Sequence, residues 1–534
     1  MKTDPAAHPF TEIELKLALP TGNPATLAKR LAQTPLLARR KATRLQLHNV
    51  YFDTPEQALR TQRVALRTRR IDSAPRRASE PAPAPQWLQT LKMAGREDSA
   101  LSQRGEWEAP VPDDALSAQA LKATPWAQLD PDGTLFKTLQ PCFTTHFERT
   151  VWRVRQRDGS VVEVALDLGH IVAGDQTTPI CELELELKAG TPAALFEVAH
   201  HIARSVALLP VSTSKAGQGF ALAQGTLAQP QRAQPPVLTT QWSPIHAAQG
   251  VLREMFAQFT TNLNTLRTTD EPEVVHQARV GWRRFKSALH LFKPLQGETP
   301  PPSWDCLQPL LSGLGEWRNL GVALTDTLPP LANAYTAGND QRTQAWRNLT
   351  HALEDAATLQ GKAVRDALQE PAVGATLLAA TEWLENMTTA ATAVQTSAPA
   401  RRPPSLKRWA RSRIKHVRQQ LKCATQNNHH LEDQHRVRLL AKRLRYGIEA
   451  LQPLLPKKAA LRWHQQAVIL QSGIGVARDL TQCIEQALAL DADGELVAFL
   501  RGVAVGHRLS AAEATTAHLI NSRINSYSRN QNKG

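Results

Sequence analysis

The sequence predicts an α+β protein, in which an N-terminal antiparallel β-barrel with flanking helices is followed by an all-α domain. Segments before about residue 225 alternate apolar and charged residues with period two, whereas later segments repeat apolar residues with a helical period. A stretch rich in Pro, Gln and Thr, "TLAQPQRAQPPVLTTQ", separates the two patterns. We therefore expect a barrel domain over 8–225, a linker over 226–241 and a helical domain over 242–525.

The charge of the chain is uneven. The 534 residues carry a net charge of +15. Residues 1–237 hold 28 Lys+Arg and 24 Asp+Glu, a net of +4, and the remainder holds 35 and 24, a net of +11. A basic second half favours a polyanionic partner, which could be nucleic acid, an anionic membrane or polyphosphate.

Targeting and cysteine patterns add little to this picture. The N-terminus has no apolar core segment, and no run of about 18 apolar residues occurs, so we expect a soluble cytoplasmic protein. The five cysteines are scattered and form no C-x-x-C, which argues against a disulfide framework or a zinc ribbon.

Charged residues share one face of the predicted strands. In "TEIELKLAL" (11–19), Glu12, Glu14 and Lys16 point to one side, because alternate residues of a strand share a face. A single strand of this kind would indicate a solvated sheet face. Six or more such strands, with carboxylates on some and guanidinium groups on others, favour a barrel closed around a polar lumen. The other charged positions are Arg67, Arg69, Glu106, Glu108, Arg149, Arg153, Arg155, Glu163, Asp167, Glu182, Glu184, Glu186 and Lys188.

Such a lumen requires a ligand. Facing carboxylates repel one another and burial raises their pKa values, a penalty that a divalent cation removes. Glu and Asp oxygens suit Mg²⁺ or Mn²⁺, while Arg and Lys suit an anion with many oxygens. Together these groups predict a site for a polyphosphate chain. The sequence has no P-loop and no G-x-S-x-G motif.

The motifs of the first 225 residues resemble those of the CYTH superfamily, the triphosphate tunnel metalloenzymes. "EIELK" is similar to its E-x-E-x-K signature, and "YFDTPEQALRTQRVALRTRR", "WLQTLK", "RGEWEAP", "FERTVW", "EVALDLG" and "ICELELELK" follow in the family's order. One departure lies in "STSKAGQGFAL", where Gly217 and Gln218 replace an acidic and a basic residue.

The resemblance implies a metal-dependent hydrolase of inorganic triphosphate, which needs no side-chain nucleophile. It assigns metal binding to Glu12, Glu14, Glu163, Asp167, Glu184 and Glu186, with Glu182 as an alternative. It assigns contact with the phosphates to Lys16, Arg67, Arg69, Lys92, Arg149 and Lys215. Arg153 and Arg155 are equally well explained as structural, and Glu106 and Glu108 as groups that orient basic side chains.

Other activities stay open at this stage. They include hydrolysis of nucleoside or thiamine triphosphates, cyclisation of ATP, and a non-catalytic protein that binds polyphosphate. Aromatic residues that would hold a base or a thiazole ring are sparse at the inward strand positions, which favours the inorganic substrate.

The helical region contains an internal repeat. "HQARVGWRRFK" (276–286) and "HRVRLLAKRLR" (435–445) match at five positions with an offset of 159 residues. "SGLGEWRNL" and "SGIGVARDL" match with an offset of 160. Like charges on one helical stripe repel, so an external anion bound between two equivalent helices would explain them. The repeated residues are His276, Arg279, Arg283, Arg284 and Lys286, then His435, Arg438, Lys442, Arg443 and Arg445.

This region resembles a CHAD domain across about 240–525. The resemblance implies two repeated helical bundles, at about 242–393 and 406–525, around a basic cavity that binds inorganic polyphosphate. It also implies association with polyphosphate granules. Nucleic-acid binding is a further alternative that no recognised motif supports. We expect triphosphate or polyphosphate as partner, and no nucleic acid or membrane.

Overall fold

A computed structural model describes most of the chain. The described residues are 10–20, 23–73, 83–93, 95, 99–296, 300–395, 405–426, 431–472 and 475–507. Residue 8, where we expect the barrel domain to begin, and residue 525, where we expect the helical domain to end, lie outside these ranges. No helix in the described part is long and apolar enough to cross a membrane.

Among the described residues, eight antiparallel strands close into a barrel at the N-terminal end, as the sequence predicts. The order is β5-β4-β3-β2-β6-β7-β8-β1, and β1 pairs back onto β5 to complete the ring, while a short β9 adds to β1. The strands are β1 Phe10–Ala18, β2 Thr43–Asp53, β3 Val64–Ser73, β4 Gln86–Met93, β5 Leu101–Val111, β6 Gln140–Arg155, β7 Val161–Ala173, β8 Gln176–Ala189 and β9 Leu209–Pro210.

Helices flank the barrel and build the rest of the described chain. Those before the linker are α1 Pro24–Gln33, α2 Ala58–Thr61, α3 Ala118–Leu121, α4 Trp126–Leu129, α5 Thr134–Lys137, α6 Ala193–Ala203 and α7 Lys215–Ala223. Those after it are α8 Pro244–Thr265, α9 Pro272–Phe292, α10 Gln308–Val322, α11 Ala332–Thr336, α12 Asp340–Leu368, α13 Pro371–Gln395, α14 Leu406–Gln426, α15 Leu431–Leu451, α16 Lys457–Ser472 and α17 Gly475–Ala489. A further helical segment covers 494–507, and 226–241 contains neither helix nor strand.

The apolar faces of the strands lie outside the barrel. Leu15 and Leu17 of β1 and Leu183 and Leu185 of β8 are buried in one cluster with the apolar face of α6. Since the period of a strand is two, burying these leucines outside turns Glu14, Lys16, Glu184 and Glu186 inward. The hydrophobic effect thus fixes the orientation of the charged rows.

The sequence repeat recurs in the bounds of the helices. Pro272–Phe292 and Leu431–Leu451 each have 21 residues. Each is followed directly by a 3-10 turn, at Lys293–Leu295 and Gln452–Leu454. All four bounds differ by the 159 residues of the sequence offset. The repeat therefore governs where this pair of helices begins and ends.

Candidate active site and anion groove

The barrel encloses a cavity of about 700 Å³ with charged walls. Every strand from β1 to β8 contributes to the wall, and so does the start of α7, which Ser214 caps by accepting from the backbone N–H of Gly217. Of the residues predicted for this site, those on the cavity wall are Glu12, Glu14, Lys16, Arg67, Arg69, Lys92, Arg149, Glu163, Glu184, Glu186 and Lys215.

Lys215 at the start of α7 connects three carboxylates. Its Nζ lies 2.6 Å from Asp167 Oδ2 and 2.9 Å from Glu184 Oε1, and it also donates to Glu182. These carboxylates hold the pKa of Lys215 above its ordinary value, although burial alone would lower it. Glu182, the alternative metal ligand of the sequence analysis, thus has an ammonium partner.

Arg149 adds a second cation to this group. It forms a bidentate pair with Asp167, at 2.8 and 2.6 Å, and its Nη2 lies 2.5 Å from Glu184 Oε2. Asp167, Glu182 and Glu184 offer oxygens within 4.8 Å of one another, a spacing that suits a metal. Lys215 and Arg149 place two cations among these three carboxylates.

The two glutamates of the first strand are also paired. Glu12 accepts from Lys92 at 2.9 Å and from Arg104 at 2.8 Å. Glu14 contacts Arg104 at 2.5 Å and Lys16 at 2.9 Å. Burial raises the pKa of both carboxyls, but the cations outweigh it and the net shift is downward.

Carboxylates lie side by side across β1, β8 and β7. Glu14 is the cross-strand partner of Glu186, which is in turn the partner of Glu163. Burial raises the pKa of Glu186, and the charges of Glu12 and Glu163 raise it further despite a contact with Lys188. Among the described residues Glu163 makes no ion pair. These hard oxygen donors suit Mg²⁺ or Mn²⁺.

An excess of positive charge lies on β3. Arg69 is half-buried and donates to Asn49 Oδ1 at 2.7 Å, and within the described chain it makes no salt bridge. Desolvation and the nearby Arg67 and Arg149 together lower the pKa of Arg69 to about 10. The Nε of Arg67 is buried without a hydrogen-bond partner. These guanidinium groups fit an oxyanion that the protein itself does not supply.

Aromatic rings line more of the cavity than the sequence suggested. Tyr51, Phe147 and Phe220 all lie on its wall. Their faces are covered by cations, since Arg67 lies 5.9 Å from the ring centre of Tyr51, Lys215 5.1 Å from that of Phe147 and Arg60 5.3 Å from that of Phe220. The rings support basic side chains and leave little free surface for a base.

The structure also places five further charged residues of the strands. Glu106 lies 3.0 Å from Lys92 and 3.8 Å from Arg67, the orienting contact expected for it, and Glu108 lies 4.0 Å from Arg67. Arg153 and Arg155 are exposed and do not line the cavity. Arg104 was missed as a site residue, although it stands in "RGEWEAP" and its partners are the two signature glutamates.

The helical domain brings the two copies of the basic repeat together. Arg283 of α9 lies close to Arg438 and Lys442 of α15, the helix against which α9 packs, and Arg279 lies close to Arg283. Burial, Arg438 and Arg283 together lower the pKa of Lys442 to about 8. Burial and Arg283 lower the pKa of Arg279 to about 10. We call this cluster the anion groove.

The groove contains two arginines that the sequence did not single out. Arg318 and Arg478 depress the pKa values of Arg279 and Lys442 respectively, so both lie close to them. They occupy equivalent places in "GEWRNL" and "GVARDL", and the repeat could have identified them. His276 Nδ1 accepts from Arg318 Nε at 3.0 Å, so this histidine orients an arginine.

The other members of the repeat lie outside the groove, at its border, or outside the described residues. Arg284 is buried and pairs with Glu254 of α8, outside the groove. Lys286 and Arg443 surround His290, and together with burial they lower its pKa. Arg445 pairs with Glu449 at 3.4 Å and borders the groove near Lys442. The side chain of His435 lies outside the described residues.

Family models match both halves of the chain. The model of the CYTH domain matches residues 11–217. The model of the CHAD domain matches residues 250–487. Both matches lie within the domain ranges that the sequence predicts.

A curated relative matches the first half. The inorganic triphosphatase of Haemophilus influenzae is 34% identical over 213 residues, which is 40% of this chain and 54% of that protein. The chain therefore spans about half the length of the relative that it matches.

Two solved structures are similar in part. The CHAD domain from the plant Ricinus communis has 24% identity and a TM-score of 0.44, and covers 53% of this chain and 92% of that one. An adenylyl cyclase from Hippeastrum, described as having a dominant triphosphatase activity, has 18% identity and a TM-score of 0.27 over 39% of this chain and 95% of that one.

Proposed function

Because the chain contains a CYTH domain followed by a CHAD domain, we propose that it is a metal-dependent inorganic triphosphatase whose helical domain binds polyphosphate. In this proposal the barrel cleaves tripolyphosphate to pyrophosphate and phosphate. The matched relative is an inorganic triphosphatase, which supports the assignment.

One observation carries the hydrolytic proposal. Within a single cavity, carboxylates gather on β1, β7 and β8, and on β3 Arg69 makes no salt bridge among the described residues. A divalent cation would satisfy the first group, and a phosphate chain the second. A triphosphate bound with its metal supplies both charges at once.

The carboxylates would hold the metal. Glu12, Glu14, Glu163 and Glu186 are proposed as ligands, because they line the cavity and strand pairing places Glu14, Glu186 and Glu163 side by side. When bound there, Mg²⁺ or Mn²⁺ would neutralise phosphate oxygens and lower the pKa of a coordinated water. Asp167 and Glu184 are also proposed as ligands, because their oxygens lie within 4.8 Å of one another, and they would in addition fix the positions of Arg149 and Lys215.

The basic side chains would hold the substrate. Arg67 and Arg69 line the cavity, and their guanidinium groups would donate to phosphate oxygens. The neighbouring strands would contribute positive charge through Arg149, Lys16 and Lys92. Because these cations are fixed by carboxylate or amide partners before substrate arrives, little reorganisation is needed as charge develops on the leaving group.

A phosphate-release assay tests this proposal. Purified full-length protein is incubated with Mg²⁺ or Mn²⁺ and with tripolyphosphate, ATP or thiamine triphosphate. We expect the highest kcat/KM with tripolyphosphate, and a loss of at least about a hundredfold in Arg69→Ala. A higher kcat/KM with ATP would indicate that the preferred substrate is a nucleotide and not inorganic triphosphate. No release from any compound would contradict hydrolysis and leave a non-catalytic binding protein.

The anion groove supports the second part of the proposal. Arg279, Arg283, Arg318, Arg438 and Arg478 gather there with Lys442, and the pKa of that lysine is lowered to about 8 by burial and its cationic neighbours. A linear polyanion would relieve this repulsion along its length.

Paired substitution separates the two activities. The double variant Arg279→Ala/Arg438→Ala should lose polyphosphate affinity by at least about tenfold while it retains tripolyphosphate hydrolysis. Binding is measured by titration calorimetry with long-chain polyphosphate, at two salt concentrations. Equal loss of binding and hydrolysis would contradict the division of labour between the domains.

A further inference from the structure

We propose that Gln231 is a substrate-positioning residue of the barrel cavity and that the helical domain holds it there through Asn262. The inference rests on the proposed function and extends it, because it makes the helical domain a structural part of the hydrolytic site. The residue belongs to 226–241, which the sequence presents only as a linker.

Gln231 lies on the wall of the cavity. Among the described residues that line the cavity, Gln231 is the only one that lies after Gly225 in the sequence. It shares the wall with Thr213, Ser214 and Gly217 at the start of α7. The chain therefore leaves the barrel domain, returns to its cavity, and only then continues into α8.

Asn262 fixes the backbone of Gln231 from both sides. The N–H of Gln231 donates to Asn262 Oδ1 at 3.0 Å, and Asn262 Nδ2 donates to the carbonyl of Gln231 at 2.9 Å. Asn262 is fully buried in α8 and also donates to the carbonyl of Gln258 at 2.6 Å. These hydrogen bonds hold the loop in one place, because breaking them would leave buried polar groups without hydrogen-bond partners.

The helix that carries Asn262 is itself anchored to the barrel. Arg267, just after α8, donates to the carbonyl of Leu19 at 2.8 Å, directly after the strand that bears Glu12 and Glu14. α13 packs on the barrel as well, because a Cβ at Gly374 would come within 2.6 Å of the backbone of Leu208. The position of Asn262 relative to the cavity is thus set by contacts on two sides.

A second contact holds the same segment. The N–H of Gln234 donates to Glu254 Oε1 at 3.1 Å. Glu254 receives both terminal nitrogens of Arg284 at 3.2 Å. Arg284 is the repeat arginine that the structure turns away from the anion groove, and its neighbour Arg283 lies in the groove. The helix that forms the groove thereby also supports the segment that reaches the cavity.

The amide of Gln231 suits a position beside a phosphate chain. Its Nε2 donates at 3.2 Å to the carbonyl of Arg232, the next residue, and this local contact can be exchanged for a phosphate oxygen. A neutral donor contributes a hydrogen bond without adding to the cationic charge of the site. The role is one of binding, so KM should respond more than kcat.

Substitutions of opposite charge test the position. In Gln231→Glu, KM for tripolyphosphate should rise by about tenfold, whereas in Gln231→Lys it should stay equal or fall, because the introduced charge faces a polyanion. Gln229 is exposed on the same segment, and Gln229→Glu and Gln229→Lys serve as matched controls with unchanged KM. Equal effects at both positions, or no effect of Gln231→Glu, would overturn the inference.

A double-mutant cycle tests the role of Asn262. Asn262→Ala should raise KM by about fivefold and should reduce the further effect of Gln231→Glu, because the segment no longer lies against the cavity. Circular dichroism and thermal unfolding establish that Asn262→Ala is folded; Asn262→Ser serves the same cycle if it is not. Fully additive effects would contradict the coupling. Absence of hydrolysis in the unmodified protein would instead contradict the proposed function.

Discussion

The two basic sites of this protein differ in how their buried charges are balanced. In the barrel most cations have carboxylate partners, and carboxylates hold the pKa values of Lys215 and Arg149 above their ordinary ranges against the effect of burial. In the anion groove burial and cationic neighbours lower the pKa values of Arg279 and Lys442. Most charges of the barrel are paired within the protein, whereas in the groove the cations outnumber the carboxylate of Asp479 that lies among them.

This difference indicates different responses to an absent ligand. The barrel cavity is held in shape by its own ion pairs, so the arrangement needed for catalysis exists before substrate enters. The anion groove is destabilised by repulsion until an anion arrives, so its ligand should stabilise it strongly. Substitutions that remove one cation should consequently act in opposite directions at the two sites.

The largest expected effect is at the centre of the barrel. Lys215→Met should lower the free energy of unfolding by about 3 to 5 kcal/mol, because Asp167, Glu182 and Glu184 are left buried without their ammonium. The matched change in the groove, Arg283→Met, should alter it by less than about 1 kcal/mol and in the stabilising direction. Urea unfolding followed by tryptophan fluorescence measures both. Similar losses in the two variants would remove the contrast.

Stabilisation by ligand should be the next largest effect. Long-chain polyphosphate at a hundred times its Kd should raise the free energy of unfolding by about 2.7 kcal/mol, since it binds only the folded groove. Thermal unfolding with and without polyphosphate measures the shift, and Arg279→Ala/Arg438→Ala should abolish it. A shift of unchanged size in that variant would locate the polyanion elsewhere.

A smaller effect is expected from pH. The pKa of Lys442 is lowered to about 8 by burial and by Arg438 and Arg283, so its ammonium is present at pH 7 and largely lost at pH 9.5. Polyphosphate affinity should fall by about fivefold over that range. Lys442→Arg, which stays charged, should bind with equal affinity at both values. A pH dependence that persists in Lys442→Arg would assign the titration to another group.

The sign of the stability change follows from the same pKa. The lysine releases its proton in the folded protein at a lower pH than in the unfolded chain, so the unfolded state binds more protons above about pH 8. The free energy of unfolding of the unliganded protein should therefore rise with pH from about 8 up to the ordinary pKa of lysine. Comparing Lys442→Met with the unmodified chain by urea unfolding isolates this contribution.

The smallest effect is expected at Tyr51. Its hydroxyl accepts from Arg67 Nη1 at 3.2 Å, so Tyr51→Phe removes one hydrogen bond from a guanidinium already near Glu106. KM for tripolyphosphate should rise by about two- to threefold, and stability should change by about 1 kcal/mol or less. A loss as large as that of Arg69→Ala would show that the ring does more than position Arg67.

Much of the barrel could be predicted from the sequence because strand periodicity is simple. Once alternate residues such as Leu15 and Leu17 are assigned to the apolar outside, Glu14 and Lys16 must face inward. Periodicity gives the face of a residue but not its partner across the lumen. The pairing of Arg104 with both signature glutamates depends on β1 and β5 closing the ring, and nothing local to either strand specifies that.

The helical domain was harder to predict in detail. Adjacent residues on a helix point about a quarter turn apart, and a sequence does not tell which one meets a neighbouring helix. Arg283 and Arg284 illustrate this, since the first joins the groove and the second is buried against Glu254. The return of Gln231 to the cavity could not be predicted, because a segment without helix or strand has no periodicity to interpret.

The equal helices Pro272–Phe292 and Leu431–Leu451 have one more consequence. A linear phosphate polymer is palindromic, since it has no chemical direction along its backbone. In the proposed function, the duplicated helices would therefore present matching cations to a ligand whose two directions are chemically the same. Capture from dilute solution would then not depend on which terminus arrives first, an advantage that a directional polymer such as a nucleic acid strand could not share.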